Sequence, residues 1–266
     1  MDKPLSHRPR KRFGQHFLHD PGIIQRIVDT VDASEGERVV EIGPGLGAIT
    51  QRLLRRTGSL DAVELDRDLI PRLTATCAGL GELRIHQADA LEFDFCALAA
   101  APEKLRIVGN LPYNVSTPLL FRLVEQRHCI QDMHFMLQKE VVERIAASPG
   151  SKRYGRLTIM LAIYFEAEPL FHIGPGAFNP PPRVDSAFLR LAPHPVTPLA
   201  PADPLHFANL VRQAFSFRRK TLRNALAGFA TPAQLEQLGI DPGDRPERLA
   251  PGDFVRVANL APDRPD

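Results

Sequence analysis

From residue 20 to about residue 192, short apolar runs alternate with stretches of helical periodicity. RVVEIG (38–43), LDAVEL (60–65), LRIHQAD (83–89), LRIVGN (105–110) and DMHFMLQ (132–138) read as strands bounded by polar or glycine-containing segments. DPGIIQRIVDTV (20–31) opens on Asp20 as an N-cap with Pro21 at the first helical position, so a helix starts there. FEAEPLFHI (165–173) and VDSAFLRL (184–191) offer two further strands to close the sheet. This β-α-β-α rhythm predicts an α/β fold with an open, mostly parallel sheet.

The rhythm stops at APHPVTPLAPADP (192–204), where five of thirteen positions are proline. Such a stretch neither pairs in a sheet nor continues a helix. The expected division is therefore an arm plus α/β domain over 1–192, a linker over 193–204, and a small helical domain over 205–266. In that last part LHFANLVRQAFSFRRKTLRNALAGF (205–229) reads as one helical stretch, TPAQLEQLGI takes Thr231 as N-cap, and a last helix lies near DFVRVANLA. No internal repeats occur.

The chain has 266 residues, 44% of them hydrophobic, enough for a sizeable core. No apolar run approaches the length of a membrane span, and the basic N-terminus lacks a signal peptide's apolar segment. Cys77, Cys96 and Cys129 are scattered and form no C-x-x-C pair. That spacing argues against a disulfide framework and against a structural metal site, and the expectation is a reduced, cytoplasmic protein. Net charge is only +2, but it is unevenly spread. Lys3, Arg8, Arg10, Lys11 and Arg12 stand together without an acid, and Arg212, Arg218, Arg219, Lys220 and Arg223 fall in an acid-free stretch between Asp203 and Glu236. Two basic blocks in a nearly neutral chain suggest a polyanion-binding face, against the alternative of a solvated tail and a solvated helix face. On a continuous helix Arg212, Arg219 and Arg223 would share one face, leaving Val211, Phe215, Leu222 and Leu226 to dock it.

Candidate chemistry collects at the strand ends. EIGPGLG (41–47) places glycines at 43, 45 and 47 between a strand and a helix, in a G-x-G-x-G spacing that differs from the dinucleotide pattern. A structural tight turn would explain the glycines alone. Glu64 follows Gly43 by 21 residues, the offset of a ribose-binding acid in doubly wound sheets. Asp89 and Asn110 close the next two strands, although Asp89 by itself could be a helix N-cap. The series makes a nucleoside pocket with no lysine or arginine beside the glycines, which suits S-adenosyl-L-methionine, a phosphate-free nucleoside. GNLPYN (109–114) then supplies an amine acceptor in the side-chain oxygen of Asn110 and the carbonyl of Leu111. Pro112 would fix the turn and Tyr113 would stack on a base, a contact worth about 1–3 kcal/mol. This is the layout expected of an amine N-methyltransferase; the bland alternative is a β-turn with a packed tyrosine.

With these motifs in hand the chain resembles the ribosomal RNA adenine dimethyltransferases. The likeness rests on RKRFGQHFLHD (10–20), EIGPGLG, ELDRDL (64–69), GNLPYNVSTPLL (109–120), MHFMLQKEVVERI (133–145), FNPPPRVDSAFLRL (178–191) and FRRKTLRNAL (217–226). It implies a Rossmann-like S-adenosylmethionine-dependent methyltransferase sheet with a small all-helical C-terminal domain. It further implies dimethylation of the N6 amine of two adjacent adenosines in the 3′-terminal hairpin of small-subunit (16S) ribosomal RNA, within an assembling 30S particle. No membrane and no metal are expected, and a monomer is the default. By the same resemblance His16 and Leu18 lie over the cofactor, Gly43 and Gly45 line it, Glu64 takes its ribose, Asp89 its adenine amine, and Asn110 touches both cofactor and target. Phe178 is implied to clamp the target base opposite Tyr113; read from the residues alone, it is a hydrophobic plug beside a rigid proline turn. His16 stands where many relatives have asparagine. Two other readings stay open: a resistance methyltransferase acting on large-subunit RNA, and an RNA-binding assembly factor.

Overall fold

The computed structural model describes residues 15–100, 102–113, 115–195 and 200–260. The basic block at 3–12 and the centre of the proline-rich stretch lie outside them. In chain order the elements are β1 (Phe17–Leu18), α1 (Pro21–Val31), β2 (Val39–Ile42), α2 (Thr50–Thr57), β3 (Ser59–Glu64), α3 (Ile70–Cys77) and β4 (Glu82–Gln87). Then come β5 (Leu105–Asn110), α4 (Ser116–Glu125), β6 (Ile130–Gln138), α5 (Lys139–Ile145), α6 (Arg156–Ala162), β7 (Phe165–Ile173), β8 (Phe178–Asn179) and β9 (Ser186–Pro193). Four helices follow: α7 (Pro204–Ser216), α8 (Leu222–Ala225), α9 (Pro232–Gln237) and α10 (Pro251–Ala258).

These elements form two compact units, residues 1–142 with 168–193, and residues 143–167 with 194–266. The division expected at residue 192 is thus corrected: residues 143–167, which include all of α6, belong with the C-terminal helices. The physical reason is burial. Tyr154 is fully buried and donates its hydroxyl to the Leu249 carbonyl at 2.7 Å, while its ring meets Phe215 edge-on. A linear reading sees only the helical periodicity of 156–162 and attaches it to the sheet it follows.

The first unit is built on a seven-stranded sheet in the order β4-β3-β2-β5-β6-β9-β7. The pairs β2–β3, β3–β4, β2–β5 and β5–β6 are parallel, and β9 runs antiparallel to β6. The four residues of β2 are all buried, as befits a strand covered on both faces. α1 begins as its sequence dictates, with Asp20 accepting from the N–H groups of Gly22 and Ile23. It buries Ile24, Ile27, Val28 and Val31, a stripe at i, i+3, i+4, i+7. Gly109 is required where β5 meets β2, because a Cβ there would stand 2.8 Å from the Ile42 carbonyl oxygen. A separate two-stranded ribbon pairs β1 with β8, setting Leu18 opposite Phe178.

Two local expectations also change. Cys96 and Cys129, 33 residues apart, are joined by a disulfide with Cα atoms 5.5 Å apart, against the reading of three unpaired thiols. Sequence spacing hides the pairing because the sheet topology, with the loop after β4 and the turn before β6, creates it. The stretch 205–229 is not one helix. α7 ends at Ser216, Arg219 sits in the following turn, and the N–H groups of Leu222 and Arg223 donate to the Asp244 and Pro242 carbonyls instead of to a preceding helical turn. Thr231 caps α9 as expected, accepting from the Gln234 N–H.

Candidate active site

The parallel register sets Ile42 beside Gly109, Glu64 beside Gln87, and Asn110 beside Met136, so the loops after β2, β3, β4 and β5 leave from one edge. Open α/β sheets hold ligands there. A cleft of about 1290 Å³, its mouth included, opens at this edge and is lined by Gly43, Gly45, Glu64, Asp89, Asn110 and their neighbours.

Its floor is the glycine loop. Gly43, Gly45 and Gly47 take φ values of +65°, +59° and +84°, which other residues adopt only with strain. A Cβ on Gly45 would also press within 3.2 Å of the Phe17 ring. Glu64 grips this loop: one carboxylate oxygen accepts from the Gly45 N–H at 3.2 Å, the other from the Asp66 N–H at 2.8 Å. Each oxygen keeps acceptor capacity for hydroxyls. Burial raises the Glu64 carboxyl above its usual range, while these two backbone donors work the other way. Asp89 lines the cleft and also accepts from the Leu91 N–H at 2.9 Å, so the loop-capping reading and a ligand-facing one are compatible.

The far wall brings three distant motifs together. Asn110 donates its Nδ2 to the His16 carbonyl at 2.9 Å, which fixes the amide orientation and leaves Oδ1 as an acceptor. The His16 ring lies against Tyr113, centroids 5.8 Å apart and 29° from parallel, and its Nδ1 donates to the Pro180 carbonyl at 2.7 Å. Tyr113 and Ser186 share a hydroxyl hydrogen bond of 2.8 Å. Burial pushes the Tyr113 phenol above its ordinary pKa, so it stays protonated at neutral pH. Leu18, Leu111 and Pro112 complete this side.

Phe178 does not line the cleft. It is 3% exposed and packs into the core with Leu18 and Ile24, the placement of a hydrophobic plug, because pairing of β8 with β1 turns it inward. Glu41 is the residue sequence reading passed over. It lines the cleft, is 2% exposed, and its Oε2 has no hydrogen-bond partner among the described residues. Burial raises its carboxyl to about 7, and the neighbouring Glu64 charge adds to the rise. The signal that could have found it is an acid inside an otherwise apolar strand, immediately before the glycine loop.

The chain matches the family model for ribosomal RNA adenine dimethylase over residues 6–263. The chain belongs to that family. Ribosomal RNA small subunit methyltransferase A of Pseudomonas fluorescens is 53% identical over 265 residues, covering 100% of this chain and 98% of that one. The protein of the same name from Marinobacter nauticus is 54% identical, covering 99% and 95%. Among solved structures, a dimethyladenosine transferase from Plasmodium falciparum superposes with a TM-score of 0.78 at 28% identity, covering 91% of this chain and 96% of the other. The 23S rRNA methyltransferase ErmE superposes with a TM-score of 0.72 at 24% identity, covering 91% and 98%, a likeness of fold. Membership of an adenine dimethylase family implies a methyl donor. The residues present fit a sulfonium nucleoside: no lysine or arginine lines the cleft among the described residues, and the unpartnered Glu41 oxygen suits a cationic ligand.

In the second unit Arg212, Arg219 and Arg223 are exposed, while Val211, Leu222 and Leu226 are buried. The three arginines are alike in exposure and do not lie on a single helix face. Arg218 differs from them, donating to the Glu247 carboxylate at 2.8 Å and to the carbonyls of Lys152 and Ser151. No described helix is long and apolar enough to cross a membrane.

Proposed function

We propose that the chain uses S-adenosyl-L-methionine to dimethylate the N6 amines of two adjacent adenosines in the 3′-terminal hairpin of small-subunit ribosomal RNA, during assembly of that subunit in the cytoplasm. The observation that carries this reading is the orientation of Asn110: with its Nδ2 committed to the His16 carbonyl, its Oδ1 remains to accept a hydrogen bond from an amine. Relatives above 50% identity named for the small subunit support the choice of RNA.

S-adenosylmethionine, when bound, supplies an activated methyl on a sulfonium. Gly43 and Gly45 would let the backbone approach it, Glu64 would accept from its ribose hydroxyls and Asp89 from its adenine amine, and His16 and Leu18 would hold it from the other side. Asn110 Oδ1 and the Leu111 carbonyl would accept from the N–H groups of the target adenine amine and so orient its nitrogen for transfer. Alignment of this kind supplies roughly 7–11 kcal/mol of a barrier. Pro112 stiffens the turn and Tyr113, its hydroxyl tied to Ser186, offers a ring to the splayed base. Arg212, Arg219 and Arg223 hold phosphates, which positions the RNA without reading its sequence.

The test is transfer of labelled methyl to unmethylated small subunits, with large-subunit RNA in parallel, followed by mass analysis of nucleosides. Dimethyladenosine in the small subunit alone is the expected result. Label on large-subunit RNA would move the chain to the resistance enzymes. Binding without label would leave an assembly factor.

A further inference from the structure

Away from the glycine loop, the segment that starts at Asp89 and runs to β5 is fastened at its middle. Gln126, buried, accepts through Oε1 from the N–H groups of Phe95 and Cys96 at 2.7 and 3.3 Å, and donates through Nε2 to the Phe93 carbonyl at 3.0 Å. At the same place Cys96 meets the turn 127–129. His128 Nε2 stands 3.4 Å from Cys96 Sγ, and the donor atoms of Cys96, His128 and Cys129 all lie within 4.8 Å of one another.

A cross-link needs two sulfurs and has no use for an imidazole nitrogen aimed at one of them. A metal site does. We propose that Cys96, His128 and Cys129, when the disulfide is reduced, bind a thiophilic divalent cation, zinc foremost, with a fourth position open to water. Zinc takes thiolate sulfur at about 2.3 Å and imidazole nitrogen at about 2.0–2.1 Å, so a tetrahedron has a sulfur–nitrogen edge of roughly 3.5 Å. The Cys96–His128 separation of 3.4 Å fits that edge. No carboxylate belongs to the cluster, which disfavours magnesium and calcium. Cys129 is buried, Cys96 half-buried and His128 exposed, so an ion enters from the His128 side. The Cα separation of 5.5 Å allows the sulfurs to part by side-chain rotation once the bond between them is gone. A dithiol supplies the two electrons and two protons that convert the disulfide to two thiols and is itself oxidised to a disulfide. A phosphine supplies the two electrons and becomes its oxide, with water giving the oxygen and both protons. Binding then releases both thiol protons and leaves neutral His128 as the third ligand.

The test keeps the full chain anaerobic in a phosphine reductant and titrates it with Co²⁺, then Zn²⁺. Expected are one equivalent of Co²⁺ with sulfur-to-cobalt charge-transfer absorption, displacement by zinc, and an X-ray absorption shell of two sulfurs and one imidazole nitrogen. Losing even a group that orients a ligand costs about 10–100-fold in affinity, so His128→Ala and Cys96→Ser should each weaken zinc by at least that much. Cys77 stays in every variant as an internal control. The proposal is overturned if a Cys96→Ser/Cys129→Ser double variant binds as the parent does. It is overturned equally if His128→Ala leaves the cobalt spectrum and zinc affinity unchanged, or if thiol counting under reductant still finds the pair oxidised.

Discussion

Asn110 shows what a single side chain contributes here. Its amide nitrogen is spoken for, so its oxygen is left as the acceptor of a residue that lines the cleft. Asn110→Ala should lower methyl transfer by ~10²-fold or more, the cost of a misplaced reactant, with RNA affinity nearly unchanged. Single-turnover transfer beside a filter-binding titration checks both; equal activity would remove Asn110 from the chemistry. Glu41 carries a different consequence. Its carboxyl rises from 4.5 to about 7 through burial. The unfolded chain ionises it first, so its contribution to stability is full below about pH 4.5, falls as pH rises, and levels off above about 7. Glu41→Gln has no proton to lose, and its stability relative to the parent should climb across that window by on the order of 3 kcal/mol. Urea unfolding of both proteins from pH 4 to 8 measures the difference curve. A flat curve would mean the carboxyl finds a partner when ionised.

At the scale of elements, the close contact of β2 and β5 fixes where the cleft's floor and far wall meet. Gly109→Ala would drive a methyl into the Ile42 carbonyl, with Leu111 Cδ2 only 3.0 Å away on the same side. The expected cost is about 1–3 kcal/mol in denaturant stability. Cofactor affinity should fall with it, because the displaced residues lead straight into Asn110. Most of this architecture was legible in the sequence. The strand runs, the Asp20 and Thr231 caps and the glycine loop all stand where local propensity put them. What escaped was made of contacts between elements. α7 stops at Ser216 because carbonyls of Pro242 and Asp244 capture the next helix's first N–H groups, which no periodicity reveals.

For the molecule as a whole, charge is divided between anchoring and reaching. Arg218 is tied to Glu247 and two carbonyls, whereas Arg212, Arg219 and Arg223 are exposed. Arg219→Ala and Arg223→Ala should each reduce the slope of log affinity against log salt by about 0.7–0.9, one phosphate contact apiece. Arg218→Ala should lower the melting temperature instead. Binding isotherms from low to physiological salt decide this, and a slope untouched by the exposed arginines would exclude them from the RNA face.

The sequence by itself determined the α/β class, the order of strands along the chain, the cleft's glycines with two of its acids, Glu64 and Asp89, and the basic stretch, because these depend on neighbours a few residues apart. Only the tertiary structure decided that residues 143–167 join the C-terminal helices, that Phe178 turns into the core, and that Cys96 meets Cys129. It also brought His16, Asn110, Tyr113 and Pro180 to one wall. Those outcomes depend on which surfaces bury one another across tens of residues, and local patterning does not encode that choice.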